Sequence, residues 1–394
     1  MDQSSSVSIE ITKIATDELD VVTVSRPSFK KFYISARPGR DGEHYSMFEN
    51  LGSFVSEHNA RIVAQDVFGA CELHPKGINA LESACGEVEW PVTWIEGQGR
   101  SEKNLTGTQA YAISGVYVEP VRLDGQLIGG MFEDDGAKYC FLGDLRPTDI
   151  SCSRAKQARA TFEKMEAALR LVDMDFSNVV RTWLYINEIL SWYDEFNVVR
   201  TQFLNKRGVF GGVVPASTGI GVANPAGAAL ITDVFAVKPK NNNVSVHAVT
   251  SPLQCPAIDY KSSFSRAVEV LLPDHRRLYI SGTASVEPGG KTAHLGDVEK
   301  QIALTMKIVQ AILESHRMGW ADTSRAIAYF KDMGNSPMLD KYCKENCLPH
   351  MPITVAHGDI CRDELLFEIE VDAVQKHSTN EKEITFRNAK KGPC

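Results

Sequence analysis

The chain lacks the features that would place it in several large functional classes. No Cys-x-x-Cys pair occurs among its nine cysteines, which lie scattered at positions 71, 85, 140, 152, 255, 343, 347, 361 and 394. An odd, unpatterned set predicts reduced thiols rather than a disulfide framework. Cys343 and Cys347 stand four apart on an expected helix with His350 nearby, but no fourth ligand follows, so no metal site is expected. No apolar run is long enough to span a bilayer. Residues 1–6 carry neither a positive nor an apolar region, so no signal peptide is expected. Acidic residues outnumber basic ones, 50 against 42, for a formal charge of −8. That balance opposes a nucleic-acid surface, which needs a basic footprint. Gly211-Gly212 and Gly219-Ile220-Gly221 lack Walker or Rossmann surroundings, so nucleotide binding is unsupported. The expectation is a cytoplasmic protein with no metal, no organic cofactor, and neither nucleic acid nor membrane as a partner.

What is present is ordinary for a folded protein: 394 residues, 43% hydrophobic and 23% charged. That length suits two or three domains. Residues 1–20 are polar and read as frayed. An N-terminal α/β unit is expected over 1–95, with strands at 32–35, 61–68 and 92–95 and helices at 47–57 and 73–85. A second unit over 96–240 opens with strands at 110–116 and 138–142. A helix over 155–171 follows, whose Ala158, Phe162, Met165 and Leu169 share one face. Then come a strand at 179–186, a helix at 192–205, a glycine- and proline-rich loop at 208–226 and a buried strand at 227–237. Residues 238–243 read as a linker. The third unit, 250–375, has a strand at 277–285, a helix over 297–315 capped by Asp297, a strand at 323–330, a short helix at 338–347 and a closing strand at 364–374. Residues 376–394 read as a polar tail.

The second and third units repeat one another. Arg181-Thr182-Trp183-Leu184-Tyr185 matches Arg325-Ala326-Ile327-Ala328-Tyr329, Pro215 matches Pro352, and Asp233-Val234-Phe235-Ala236-Val237 matches Glu370-Val371-Asp372-Ala373-Val374. Each repeat predicts a mixed sheet with two helices on one face, an α+β plan. The other sheet face must then be covered, which favours a homo-oligomer, with a trimer preferred, or a pseudo-oligomeric barrel.

The repeats differ where chemistry is expected. Glu368 sits in an apolar run, where a carboxylate is costly unless paired, protonated or used. The earlier copy has Ile231 there, and Asn224 opposite Cys361. Glu370 points the same way as Glu368 by the period of two. It is either a neighbour that raises the pKa of Glu368 or a structural acceptor. Cys361 is a nucleophile, a thiol packed on substrate, or an inert buried residue, and His357 is a further acid–base candidate. Ser217, Thr218 and Gly219 are small residues suited to close approach of an anion. Trp183, Tyr185, Trp192 and Tyr193 read as core.

Four stretches carry a family resemblance: Pro215 through Gly221; Ser263-Phe264-Ser265-Arg266-Ala267; Ser281 through Ser285 with His294-Leu295-Gly296-Asp297; and Ile360-Cys361-Arg362-Asp363 through Glu368. The third unit resembles a Rid (YjgF, endoribonuclease L-PSP-like) domain, and the tandem resembles the chorismatases over roughly residues 90 to 375. The resemblance implies tandem units of bacillus chorismate mutase-like fold. It implies cleavage of the enolpyruvyl ether of chorismate, or of a related small carboxylated metabolite, with release of pyruvate. It makes Glu368 the match to the catalytic glutamate and sets Gly282 with Cys361 where the family divides between products. A glycine with a cysteine looks like the hydroxybenzoate-forming branch. The family's strand-end arginine is replaced by Lys331, which lacks a bidentate fork. The arginine of simple Rid imine deaminases is replaced by Ser217 and Thr354. Delivery of a proton to carbon suits a neutral carboxylic acid in an apolar pocket. The alternatives are an imine or enamine hydrolase and a non-catalytic ligand-binding oligomer.

Overall fold

Three stretches of strand-rich sequence each build a six-stranded mixed sheet of the expected α+β plan. The computed structural model describes residues 9–39, 44–97, 104–260 and 262–377. The first sheet holds β1 (Glu10–Ala15), β2 (Leu19–Ser25), β3 (Lys30–Ala36), β4 (Arg61–Gly69), β5 (Val92–Ile95) and β6 (Leu105–Ser114), in the order β1-β2-β3-β6-β4-β5. The second holds β7 (Glu119–Leu123), β8 (Gln126–Glu133), β9 (Ala137–Leu145), β10 (Val179–Ile186), β11 (Ala216–Ile220) and β12 (Leu230–Pro239), ordered β11-β10-β12-β9-β8-β7. The third holds β13 (Ser245–Val249), β14 (Ala267–Leu271), β15 (His275–Ala284), β16 (Thr323–Phe330), β17 (Ile353–His357) and β18 (Phe367–Lys376), ordered β13-β14-β15-β18-β16-β17.

All three sheets share one connectivity, so the N-terminal unit is a third copy of the repeat and not a separate α/β fold. The strand expected to open the second unit, β6, pairs with β3 and β4 in the first sheet. Residues 10–15, read as frayed, pair along their full length with β2. Part of the stretch read as a loop at 208–226 is β11, parallel to β10. Its small residues gave no apolar alternation to read. Residues 378–394 of the expected tail lie outside the described residues. Among the described residues seven cysteines are free thiols, whereas Cys255 is disulfide-bonded, which departs from the expectation of reduced thiols throughout. No helix of the described residues is long and apolar enough to cross a membrane.

Each sheet carries two helices: α1 (Ser46–Glu57) and α2 (His74–Cys85), α3 (Arg154–Leu171) and α4 (Tyr193–Lys206), and α5 (Val298–Ser315) and α6 (Pro337–Glu345). The helical stripes are buried as their spacing requires: Ala158, Phe162, Met165 and Leu169 on α3, and Ile302, Met306, Val309 and Leu313 on α5. The Asp297 carboxylate accepts from the Lys300 N–H at 3.0 Å, the expected cap. Three peripheral cores form between helices and sheets. A fourth, central core joins the inner faces of all three sheets. It includes Tyr33 and Tyr111 from the first, Tyr139, Tyr185 and Phe235 from the second, and Tyr279 and Tyr329 from the third. The face that two repeats alone leave uncovered is therefore covered within one chain.

The sheets meet in a ring, each parallel edge strand lying against the next unit: β5 against β9, β11 against β15 and β17 against β6. Strand registers make Thr93, Thr218 and Thr354 equivalent, and likewise Gln109, Asp233 and Glu370. Two residues earlier on the closing strands stand Gly107, Ile231 and Glu368. The same registers set Ala216, not Pro215, opposite Pro352, so that sequence match slips by one residue.

Phe235 stacks on Phe141 at 4.4 Å and packs against Tyr279 at 5.3 Å, joining two sheets. Phe235→Ala is expected to lower the unfolding free energy by ~3–5 kcal/mol. Urea denaturation followed by circular dichroism measures this.

Candidate active site

The seam between the second and third units opens into a cavity of about 70 Å³. Its lining includes Ser217 and Gly219 from β11, Tyr193 and Arg200 from α4, and Gly282 from β15. Arg266, Cys361, Arg362 and Glu368 complete the charged and reactive groups around it. Backbone N–H groups and side-chain hydroxyls hold the seam together. The Ser217 N–H donates to Ser281 Oγ at 2.8 Å and the Gly282 N–H donates to Thr218 Oγ1 at 3.0 Å. Beyond β11, Gly221 and Asp359 exchange N–H and C=O bonds of 2.7 and 2.9 Å.

Glu368 is 5% exposed. Its carboxyl lies so close to β15 that a Cβ on residue 282 would stand 2.0 Å from its Oε1. The glycine leaves room for this side chain, and any larger residue would push the carboxyl aside. Burial raises the Glu368 pKa to about 8, the Glu370 charge adds to the rise, and Arg181 and Arg266 oppose it. Glu370 is held below its ordinary value. Burial works against this, but Arg181, Arg325 and hydrogen bonds from Thr218 and Trp183 outweigh it. Arg181 Nη2 lies 2.9 Å from Glu370 Oε2, and Trp183 Nε1 and Arg325 Nη1 donate to Oε1 at 2.7 and 2.8 Å. The pKa values of two carboxyls on one strand face are thus driven apart, one raised and one lowered. Burial and the Glu368 charge push the Cys361 thiol up to about 12, so it is not a thiolate at neutral pH.

No family model matches the chain. A chorismatase from Streptomyces rapamycinicus is 28% identical over 222 residues, covering 50% of this chain and 64% of that protein. The match therefore spans less than two thirds of that relative. A 3-hydroxybenzoate synthase from Streptomyces hygroscopicus is 26% identical over 360 residues, covering 82% of this chain and 97% of that protein. A chorismatase crystal structure superposes with a TM-score of 0.63 at 18% identity, covering 87% of this chain and 98% of that one. This chain resembles the chorismatases in sequence and in fold.

The chorismatase-like seam gathers most of the residues expected from sequence. Glu368, Cys361, Gly282, Ser217 and Gly219 all border the cavity. Thr218 stands behind it: its hydroxyl accepts from Arg181 at 2.6 Å as well as from Gly282. The Ser217 hydroxyl is engaged by Thr182 at 2.9 Å. Lys331 does not reach the cavity. It follows the last residue of β16 and binds the carbonyl and carboxylate of Asp363, each at 2.6 Å, in an outward-facing pair. His357 ends β17 and does not line the cavity. His350 bonds Asp20 of the first unit at 2.7 Å. Asn224, opposite Cys361 in the earlier copy, holds a turn through the backbone of Ala228.

The cavity's cations are Arg200, Arg266 and Arg362, none singled out from sequence. Arg266 donates to the Cys255 carbonyl through Nε and Nη2, at 3.0 and 2.9 Å. Arg362 donates to the Gly290 carbonyl at 2.7 Å. Arg266 and Arg362 lie in stretches that carry the family resemblance. Arg200 had no signal, since a guanidinium on a helix face is ordinarily solvated. Tyr193 and Trp183, read as core, are respectively a wall of the cavity and a donor to Glu370.

The proton on Glu368 makes stability depend on pH. Its carboxyl ionises at 4.5 ordinarily and at about 8 when folded. The folded state therefore holds the extra proton between these values, and stability falls as pH rises through that window. Glu368→Gln removes this loss. The variant is expected to exceed wild type by on the order of 2–4 kcal/mol at pH 9 and by under ~1 kcal/mol at pH 4. Urea denaturation at the two pH values tests it.

Proposed function

We propose that the protein cleaves the enolpyruvyl ether of chorismate, or of a closely related carboxylated enol ether, and releases pyruvate. The observation that carries this reading is a buried Glu368, its pKa raised to about 8, facing an arginine-lined cavity across a glycine that leaves room for it. The relatives' names supply the substrate class, and the site supplies a suitable acid. Arg200, Arg266 and Arg362 bind the substrate carboxylates. The enol ether's π electrons take the Glu368 proton at the methylene carbon, and the ether oxygen stabilises the cation left on the adjacent carbon. Water adds to that cation and returns a proton to the Glu368 carboxylate. The hemiketal then expels the ring alcohol and becomes pyruvate.

Cys361 and Gly282 border the reacting space as packing groups that steer the ring. One water is consumed if the product is a dihydroxycyclohexadiene. None is consumed overall if the ring goes on to lose water and forms a hydroxybenzoate. Chromatography of the products separates the two.

Purified protein incubated with chorismate, with pyruvate followed by a coupled lactate dehydrogenase assay, tests the reading. Glu368→Gln is expected to lower kcat by at least ~100-fold, the usual scale for loss of a general acid. Gly282→Ala, whose new methyl displaces the carboxyl, is expected to reduce turnover at least ~10-fold. Wild-type kcat should fall above an apparent pKa of about 8 as the acid ionises. Absence of pyruvate from the wild type would sink the proposal. A thermal shift with chorismate but no turnover would point to a binding protein instead.

A further inference from the structure

The three seams are built alike but charged differently. Thr93 donates to Asp233 at 2.6 Å, and Gln109 donates to Thr354 at 3.0 Å. Gln109 is neutral, and burial beside Asp66 raises the Asp233 pKa well above its ordinary value, favouring its neutral form. At the seam with the cavity the equivalent residue, Glu370, is instead held below its ordinary value. It is also reached by two guanidiniums from different units and by an indole, all within 2.9 Å. Its own side chain is fully buried.

The same network reaches the reacting acid. Arg181 Nη2 bonds both Glu370 and Thr218 Oγ1, at 2.9 and 2.6 Å. Thr218 Oγ1 receives the Gly282 N–H, and the Gly282 backbone is the wall against which Glu368 lies. Glu370 therefore fixes that wall through two side chains. It also sets a negative charge two residues from Glu368 on the same strand face.

We propose that Glu370, clamped by Arg181, Trp183 and Arg325, is the positioning residue that fixes the Gly282 wall and sets the charge facing Glu368. This inference rests on the proposed role of Glu368 as the acid. The groups facing Glu368 are Glu370 on its own strand, Arg181 on β10, Tyr329 on β16, Arg266 before β14, Cys361 and Arg362 on the turn before β18, and Tyr193 and Arg200 on α4. Those around Glu370 also include Arg325, Asp66, Asp372 and Tyr185. Removing the Glu370 charge leaves Arg181 and Arg325 unbalanced, and both then favour ionised Glu368.

The test is a pH profile of pyruvate release. Glu370→Gln is expected to move the basic limb of kcat down by roughly one pH unit or more and to cut kcat at pH 8 by about 10-fold, with KM within about threefold. Glu370→Asp keeps the charge but retracts it. Its basic limb should stay within about 0.3 units of wild type, with kcat several-fold lower. An unmoved limb in a folded Glu370→Gln variant, or wild-type kcat in Glu370→Asp, would overturn the proposal. Failure of the parent reading is distinguishable, because the proton on Glu368 is also read without turnover. The stability difference between wild type and the Glu368→Gln variant has a pH midpoint, which should fall when Glu370→Gln is added to both. A midpoint that stays in place overturns the inference whether or not chorismate is a substrate.

Discussion

A mixed sheet with helices on one side has a second face that water disfavours, and everything in this molecule follows from how that face is covered. Two other sheets of the same chain cover it. The central core draws on all three, with aromatic rings such as Phe235 and Tyr279 in contact across units. Burying three inner faces together removes far more apolar surface from water than any one unit could alone. It also creates three seams, and a site can be shared between units without a second chain.

The seams show how one plan yields different chemistry. Each brings a threonine from an edge strand beside a closing strand of the next unit. At two of the three the partner is the neutral amide of Gln109 or the Asp233 carboxyl, whose pKa burial beside Asp66 raises. At the third, the closing strand brings two carboxyls to one face, and the groups around them assign opposite states. Glu370 meets two guanidiniums and an indole, so ionisation is favoured. Glu368 is buried against a backbone wall and beside its neighbour's charge, and these outweigh Arg181 and Arg266 to raise its pKa. Charges this deep are tolerable only because they are paired and hydrogen-bonded across the seam.

The elements with strong local periodicity were legible. The α5 stripe, its Asp297 cap and the equivalence of Ile231 with Glu368 stand in the structure as the residues imply. Elements lacking periodicity were not. β11 is made of Ala216, Ser217, Thr218, Gly219 and Ile220, and nothing local separates it from a loop. The third copy of the repeat was hidden because its closing strand, β6, has Gly107 and Gln109 where the others have Ile231 and Asp233 or Glu368 and Glu370. Lys331 stands where the resembled family has a strand-end arginine, but the direction of a side chain beyond a strand end is set by the turn that follows, and here it meets Asp363.

Composition, repeat and patterning determined the α+β plan, the helix faces and the presence of one out-of-place acid in the closing strand. These are local properties, written in spacing and in the cost of burying a charge. Only the tertiary structure decided that Arg181 and Trp183 serve Glu370, that Arg200, Arg266 and Arg362 line the cavity, and that Gly282 is the wall for Glu368. Those pairings join residues far apart in the chain. Their energies depend on distance and burial, which no local pattern encodes.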